Sequence, residues 1–309
     1  MLYEVAGICI ESDIPLPRLP HAPSEGLSSI DIRIAEVRQL PPRPADCILE
    51  GSHSWTSTMV WIAPPGGSCA CAVSPLGLSY VRRPDTPERE VQRLIFYALP
   101  AAFAAAGWCM VHGSAISFGD GAWLLLGKSG AGKSTTTAVL AAMGASIIAD
   151  DDIFVRLDES GKPLVWGIEP RVALTQESRQ VLLGMGLSVP SVTEPRNDGK
   201  VLYSFAECTN VDAVPVRRVT VLDAPPPGRS LDDSFERFTI MMRSFQYTGL
   251  SRHLHGATLM RVCGELVKAG EWRSERSRDL TQRLFRDGLG HVADSKPGFA
   301  GSREGVALI

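Results

Sequence analysis

The chain has 309 residues, 44% of them hydrophobic and 21% charged, and a formal net charge of −3. This composition is ordinary for a globular protein, and a pI near 6.1 argues against a broad nucleic-acid interface. The longest apolar runs, near 94–111 and 122–126, are too short or too broken to span a bilayer, so we expect no membrane partner.

The cysteines and the start of the chain bear on the cellular compartment. Cys69 and Cys71 lack the usual spacing of a zinc or redox pair, and most of the other five cysteines lie in apolar contexts. The first residues show no positive region followed by an apolar block, so a signal peptide is not expected. We therefore predict a reducing, cytoplasmic location.

Residues 1–95 are predicted to be rich in β-strands. The stretches YEVAGICIES and DIRIAEV alternate apolar and polar residues, whereas the proline-rich connection DIPLPRLPHAPSEG cannot hold a central strand. STMVWIA and CACAVSP indicate two more short strands around a PPGG turn. The prediction is a small β-rich segment or domain, and a candidate for recognising the substrate.

A helix is predicted over 86–108, with Thr86 as its cap, Pro87 at its first position and Pro100 as a point where it kinks or divides. Two strands, WCMVHGSAISFG and AWLLLG, then form a predicted hairpin. The loop GKSGAGKS, the helix TTTAVLAAMG and the strand ASIIADDDIFVRLD follow. This order is the core of a nucleotide-binding α/β unit.

The remainder of the chain mixes both kinds of element. KPLVWGI and RRVTVLD are predicted strands, and helices are predicted at about 232–246 and 253–269. Residues 292–309 are rich in Gly, Ser and Ala, which predicts a loose C-terminal tail. The central domain is therefore expected to span 96–291.

The loop carries the phosphate-binding (Walker A) pattern G-x-x-x-x-G-K-[ST]. Glycines let backbone N–H groups face phosphate oxygens, the lysine supplies a positive charge, and the serine hydroxyl ligates Mg²⁺. The strand before it and the helix after it supply the context that a glycine-rich turn without a ligand lacks. We expect ATP and Mg²⁺ here, bound by Gly127, Ser129, Gly130, Ala131, Gly132, Lys133, Ser134 and Thr135.

The acidic run SIIADDD is the expected partner of this loop. An apolar strand carries Asp150 and Asp151 to the end of the sheet where ligands bind. One carboxylate would hold Mg²⁺ together with Ser134, and the other would accept a proton from an attacking hydroxyl. The alternative, a solvated turn, suits Asp152 better than the first two acids.

In the predicted hairpin, His112 lies on the strand that pairs with the one leading into the loop. A histidine near an aspartate in a water-poor cleft can donate to the carboxylate or share its proton. An enzyme that deprotonates an alcohol needs such a group, whereas a plain ATPase has no evident use for it. The alternative is a core histidine that is hydrogen-bonded to backbone.

The stretch VHGSAISFGDGAWLLLGKSGAGKSTTTAVLAAMGASIIADDD resembles the catalytic core of the bacterial HPr serine kinase/phosphorylase family. The resemblance rests on His112-Gly113, the loop 127–134 and the run 149–151 in that order. It implies an α/β fold with a P-loop kinase core related to phosphoenolpyruvate carboxykinase. It also implies that Asp151 is the base toward a serine, that His112 assists it, and that Asp150 lies on the metal side.

One signature differs from that of the regulatory members of the family. Of their Glu-x-Arg-Gly-x-Gly-Ile-Ile signature only Glu169 and Arg171 remain, so the reverse reaction and recognition of HPr itself are open. Arg171 either clamps phosphate or acceptor, as a catalytic residue, or forms a surface ion pair. Lys200 is a further candidate for phosphate or acceptor contact, the alternative being a solvated turn lysine.

The N-terminal stretch YEVAGICIESDIPLPRLP resembles short HPr-kinase-like proteins of peptide-modification systems, including lasso-peptide kinases. The prediction is an ATP-dependent serine kinase for a peptide or small protein, and a homo-oligomer is compatible with it. The alternatives are an HPr-like carrier-protein kinase, a small-molecule kinase and a nucleotide-sensing protein without transfer activity. A GTPase-like switch is disfavoured because the sequence has no Asn-Lys-x-Asp motif.

Overall fold

The structure is a computed structural model that describes residues 1–5, 7–22, 29–50, 53–56, 58–118, 121–168, 170–190, 192–195, 199–205, 213–223, 228–245 and 248–287. The protein is a mixed α/β fold in which the described residues form three sheets and six helices. None of the helices in these ranges has the length and apolar character that a transmembrane segment requires.

Eight strands form in the part of the chain that is predicted to be β-rich. They make one sheet in the order β1-β2-β3-β8-β7-β6-β5-β4. Their bounds are β1 (Leu2–Val5), β2 (Ile8–Ser12), β3 (Ile32–Glu36), β4 (Ile48–Glu50), β5 (His53–Trp55), β6 (Val60–Ile62), β7 (Cys69–Ser74) and β8 (Gly77–Arg82). Alternating burial along β3 and β8 places one face of this sheet on the core.

Helix α1 (Glu88–Ala105) covers this first sheet and differs from the prediction at two points. Its N-cap is Pro87, while the Thr86 hydroxyl donates to the Ser68 carbonyl at 3.0 Å, so Thr86 does not act as the cap. Pro100 is buried inside a continuous helix rather than at a division. The free energy gained by burying the apolar face against the sheet outweighs the loss of one backbone hydrogen bond at Pro100.

The second sheet contains the predicted hairpin and the strands around it. Its order is β10-β9-β11-β12-β16-β18-β17, and β10 also pairs with β16, which closes five of the strands into a ring. The antiparallel pairing of β9 with β10 confirms the hairpin. The bounds are β9 (Cys109–Phe118), β10 (Gly121–Leu126), β11 (Ser146–Leu157), β12 (Pro163–Trp166), β16 (Val214–Leu222), β17 (Arg229–Ser230) and β18 (Glu271–Glu275).

A third sheet and five further helices complete the described fold. The sheet order is β13-β15-β14, with β13 (Arg171–Leu174), β14 (Val192–Pro195) and β15 (Val201–Ser204). The helices are α2 (Lys133–Ala142), α3 (Gln176–Gly184), α4 (Ser234–Ser244), α5 (Thr248–Lys268) and α6 (Ser277–Asp287). Helices α2, α4 and α5 match predicted helices, whereas α3 and α6 were not predicted. The predicted tail, 292–309, lies outside the described residues.

The first sheet and the second sheet share a hydrophobic core. Phe103 of α1 packs against Phe154 of β11 and Trp166 of β12 in tilted arrangements, with ring centroids 4.9 and 5.6 Å away. The predicted domain boundary at residue 95 falls within α1, the helix that joins the two sheets. The division into 1–95 and 96–291 stays a prediction.

Three buried thiols predict how stability changes in alkaline solution. Burial raises the pKa of Cys71 and of Cys109 to about 12 and that of Cys263 to about 11. Above about pH 8.5 the unfolded chain releases these protons and the folded chain keeps them. Stability that is fully present below that pH is therefore lost as pH rises toward 11 to 12, by about 1.4 kcal/mol per thiol per pH unit.

Urea unfolding at pH 8, 9 and 10 measures this loss. Other groups also titrate in this range, so the matched comparison is Cys71→Ala. In this variant the free energy of unfolding should fall less steeply with pH, because one of the three buried thiols is gone. Equal slopes for the variant and the wild type would contradict a raised pKa at Cys71.

Candidate active site

The glycine-rich loop (residues 127–134) connects β10 to α2. Because β10, β16 and β18 run parallel, it lies at their carboxyl ends, where α/β sheets bind ligands. Gly127, Gly130 and Gly132 have φ values of 148°, 82° and 88°. Side chains other than hydrogen are disfavoured at such angles, so the glycines are required by the shape of the loop.

Two of these glycines also allow close packing of the loop against its surroundings. A Cβ on Gly127 would lie 2.9 Å from the Leu222 carbonyl oxygen, and one on Gly132 would lie 2.3 Å from Ser277 Oγ. The Ser277 hydroxyl, at the start of α6, also lies 2.8 Å from Thr136 Oγ1 of α2. The loop is therefore held between the end of β16 and a helix that sequence reasoning missed.

Lys133 is the first residue of α2 and is only 6% exposed. Its Nζ donates to the carbonyls of Gly127 and Lys128 at 3.0 and 3.2 Å. Burial lowers the pKa of this ammonium, the charge of Lys200 lowers it further, and two nearby aspartates oppose the shift. The amine thus folds back onto the loop's own carbonyls.

The other predicted nucleotide-binding residues lie along the same loop. Ser129 and Gly130 are exposed, whereas Ala131 is 6% exposed and its N–H donates to the Lys128 carbonyl at 3.1 Å. The Thr135 hydroxyl lies 2.8 Å from that of Ser178 on α3. Nucleotide binding by these residues stays a prediction.

Asp150 is the point where three structural elements meet. Its Oδ1 accepts hydrogen bonds from Ser114 Oγ at 2.5 Å and Ser134 Oγ at 3.1 Å, and its Oδ2 accepts one from the Ala173 N–H at 3.1 Å. The carboxyl group is enclosed, and the residue as a whole is half-buried. Burial raises its pKa to about 6, the charge of Asp151 adds to the rise, and the three hydrogen bonds oppose it.

Asp151 adopts a left-handed backbone conformation within β11, with a φ of 77°. It is in register with Gly113 of β9, where a Cβ would lie 2.9 Å from the Leu125 carbonyl oxygen. Non-glycine residues at positive φ cost roughly 1 kcal/mol or more and are concentrated at functional sites. Aspartate is among the residues that tolerate this region best.

His112 lies on β9, in register with Asp152 of β11, and is half-buried. Burial, and then the charge of Lys133, lower its pKa below the usual value, while the Asp151 charge and a hydrogen bond to the Asp151 backbone oppose this. The imidazole is therefore neutral at physiological pH. The sequence offered two alternatives, a histidine that acts on an aspartate and a core histidine bonded to backbone. The structure combines parts of both, because His112 is hydrogen-bonded to the backbone of Asp151, the predicted base.

Arg171 begins β13, opposite Ser204 of β15, and is half-buried. It lies two residues before Ala173, whose N–H binds Asp150. The strand therefore brings Arg171 to the edge of the site, and its catalytic role stays a prediction. Glu169, the other residue kept from the family signature, lies outside the described residues.

Lys200 directly precedes β15 and is half-buried. Its positive charge lowers the pKa of both His112 and Lys133, so it lies within electrostatic range of the two. Contact of Lys200 with phosphate or acceptor stays a prediction. The sequence singled out Lys200 but did not place it near the loop, because the third sheet was not predicted.

Sequence reasoning also missed Ser114 and the Ala173 backbone. The signal for Ser114 was present, since residues two apart on a strand share a face and His112 had already been selected. No signal pointed to Ala173, because a backbone donor can lie in any residue type. The Asp150 hydrogen-bond set thus comes from β9, α2 and β13, elements distant in the chain.

The oxygen atoms of Ser134 and Asp150 are of the kind that a magnesium ion prefers. No group of three or more His, Cys, Asp or Glu side chains arranged to hold a metal occurs among the described residues. The pair formed by Ser134 Oγ and the Asp150 carboxylate offers the oxygen ligands that Mg²⁺ prefers. Mg²⁺ usually binds few protein oxygens and completes its shell with phosphates and water.

Comparisons with known proteins give a weak match among solved structures. The HPr(Ser) kinase/phosphatase from Coxiella burnetii matches over 60% of this chain and 96% of its own, with 11% sequence identity and a TM-score of 0.31. No protein-family model matches the sequence. No curated protein matches it either.

Proposed function

We propose that the protein is an ATP-dependent kinase that transfers the γ-phosphate of ATP to a serine hydroxyl of a peptide or small protein. The observation that carries this proposal is the hydrogen bond from Ser134 of the glycine-rich loop to Asp150. It brings a phosphate-loop hydroxyl to an acidic strand on which the next residue is Asp151. In this proposal Asp150 would be the metal-side acid and Asp151 the separate base.

The nucleotide would be held by the loop and by two lysines. Backbone N–H groups of residues 127–134 and the start of α2 attract phosphate oxygens. Lys133 would leave its two carbonyl partners to bind the β- and γ-phosphates, and Lys200 and Arg171 would neutralise charge on the transferred group. Mg²⁺, when bound at Ser134 and Asp150, neutralises charge on the same phosphates.

Asp151 would accept the proton of the acceptor hydroxyl. As that oxygen forms its bond to the γ-phosphorus, the bond to the β–γ bridging oxygen breaks and ADP leaves. Neutral His112, bonded to the Asp151 backbone, would hold the left-handed conformation that presents this carboxylate. Positioning and charge neutralisation would supply most of the rate enhancement, as in other phosphoryl transfers.

A peptide acceptor is supported by the resemblance of the catalytic stretch to serine kinases and by the eight-stranded sheet that α1 joins to the second sheet. The outer edge of one terminal strand of that sheet, β1, is already hydrogen-bonded by residues 20–22, whereas the other terminal strand, β4, pairs only with β5 among the described strands. An extended peptide can add to a strand of this kind. A cytoplasmic location and a homo-oligomer remain part of the proposal.

A transfer assay tests the proposal. We would incubate the protein with Mg²⁺, γ-labelled ATP and the short peptides encoded beside its gene, and compare it with HPr-like carrier proteins and small alcohols. Label on a peptide serine is the expected result. Label only on a small alcohol or carrier would move the assignment to the corresponding kinase. ATP binding without transfer to any hydroxyl would favour a sensing protein.

A further inference from the structure

Ser114 is a polar residue in the interior of the second sheet. It is 0% exposed and lies on β9, in register with Leu125 of β10 on one side and Asp150 of β11 on the other. Its neighbours on the strand are Gly113 and the fully buried Ala115. A buried hydroxyl among such residues loses its hydration and is costly unless it has a partner.

That partner is the carboxylate of Asp150. The Ser114 hydroxyl donates to Oδ1 at 2.5 Å, the shortest of the three hydrogen bonds that Asp150 accepts. Hydrogen bonds to a charged acceptor are shorter and about twice as strong as neutral ones. Ser114 also comes from a central strand paired on both sides, so its own position is rigidly set.

Ser134 donates to the same oxygen at 3.1 Å. A serine hydroxyl has one proton and two lone pairs, so donating the proton to Asp150 leaves the lone pairs free for a cation. The orientation of these lone pairs therefore depends on where Asp150 Oδ1 is fixed. Ser114 and the Ala173 N–H hold the two oxygens of that carboxylate from different sides.

We propose that Ser114 is a positioning residue that fixes Asp150 Oδ1 and thereby orients the Ser134 hydroxyl toward Mg²⁺. This inference rests on the proposed use of Mg²⁺ and a nucleotide at the site. It assigns a role to a residue that would touch neither the substrate nor the metal. The effect should appear in the affinity for Mg²⁺ and hardly in binding of the nucleotide alone.

The test is a titration with a fluorescent ADP analogue, in EDTA and then with increasing Mg²⁺. The variant is Ser114→Ala, and the matched control is Ser117→Ala. Ser117 lies on the same strand, is 4% exposed, and donates to the Gly121 carbonyl at 3.3 Å, away from the site. Thermal unfolding of both variants reports any general loss of structure.

For Ser114→Ala we expect the Mg²⁺ concentration at half-saturation to rise roughly tenfold or more, as for other partners of metal ligands. Nucleotide binding in EDTA should change less than about threefold, the scale of a surface substitution. Ser117→Ala should bind Mg²⁺ like the wild type. Ser114→Thr keeps the hydroxyl and should restore most of the Mg²⁺ affinity.

Equal Mg²⁺ dependence in Ser114→Ala and Ser117→Ala would overturn the assignment, as would failure of Ser114→Thr to restore affinity while folding normally. Failure of the Ser114 proposal can be distinguished from failure of the kinase proposal. If Ser114→Ala weakens Mg²⁺-dependent nucleotide binding while the wild type transfers no phosphate, that result would refute the kinase proposal and support the role of Ser114. No nucleotide binding by the wild type would refute both.

Discussion

Replacing Asp151 by asparagine is expected to slow phosphate transfer by about 100- to 10,000-fold, the usual contribution of a general base. Asparagine keeps the size of the side chain and tolerates the left-handed backbone at φ 77° as well as aspartate does. The substitution therefore removes the proton acceptor and leaves the strand intact. Single-turnover transfer from labelled ATP measures the effect.

Nucleotide affinity in the same variant should be unchanged or slightly tighter, because a negative charge beside the phosphates is removed. The matched control is Asp152→Asn, which removes the same charge one residue further along β11. We expect Asp152→Asn to retain most of the transfer rate. If both variants lose transfer equally, the base assignment to Asp151 is wrong and general electrostatics at β11 is the better explanation.

Replacing Lys133 by methionine is expected to weaken ATP binding by roughly tenfold to a hundredfold, since a hydrogen bond to a charged group is worth about 1.5–3 kcal/mol. Methionine fills the space of the lysine stem, which is 6% exposed, and carries no charge. Thermal stability should change little, because a buried ammonium is itself costly to dehydrate. Equilibrium binding of a fluorescent ATP analogue measures the loss.

Lys128→Met is the control for charge alone, because Lys128 belongs to the same loop and is exposed. Exposed charges are screened by solvent and salt, so we expect less than about a threefold change in affinity. Equal losses in the two variants would mean that the loop attracts nucleotide by its net charge and that Lys133 has no specific place in the site.

Local patterns in the sequence were sufficient to predict the helices and strands around the loop. The hairpin of β9 and β10, helix α2 and strand β11 occur in the predicted order, and the antiparallel pairing is as expected. Apolar periodicity and glycine spacing are local properties, and each of these elements is defined by residues adjacent in the chain. For the same reason, local motifs were sufficient to select His112, Lys133 and Asp150.

Contacts between distant parts of the chain could not be predicted in this way. Helix α6 meets the loop through Ser277, the third sheet brings Lys200 and the Ala173 N–H to the site, and α1 joins the two larger sheets. These pairings depend on how whole elements pack, and packing is set by total shape and buried area rather than by short motifs.

The sequence by itself therefore determined the loop, its acidic strand and the histidine beside them. Only the tertiary structure decided how Asp150 is held, by hydroxyls from β9 and α2 and a backbone N–H from β13. It also decided that Asp151 takes a left-handed conformation, which departs from the regular strand that its sequence predicts. The physical reason is that a buried carboxylate must find its hydrogen-bond donors wherever the fold brings them, and those donors are far apart in the chain.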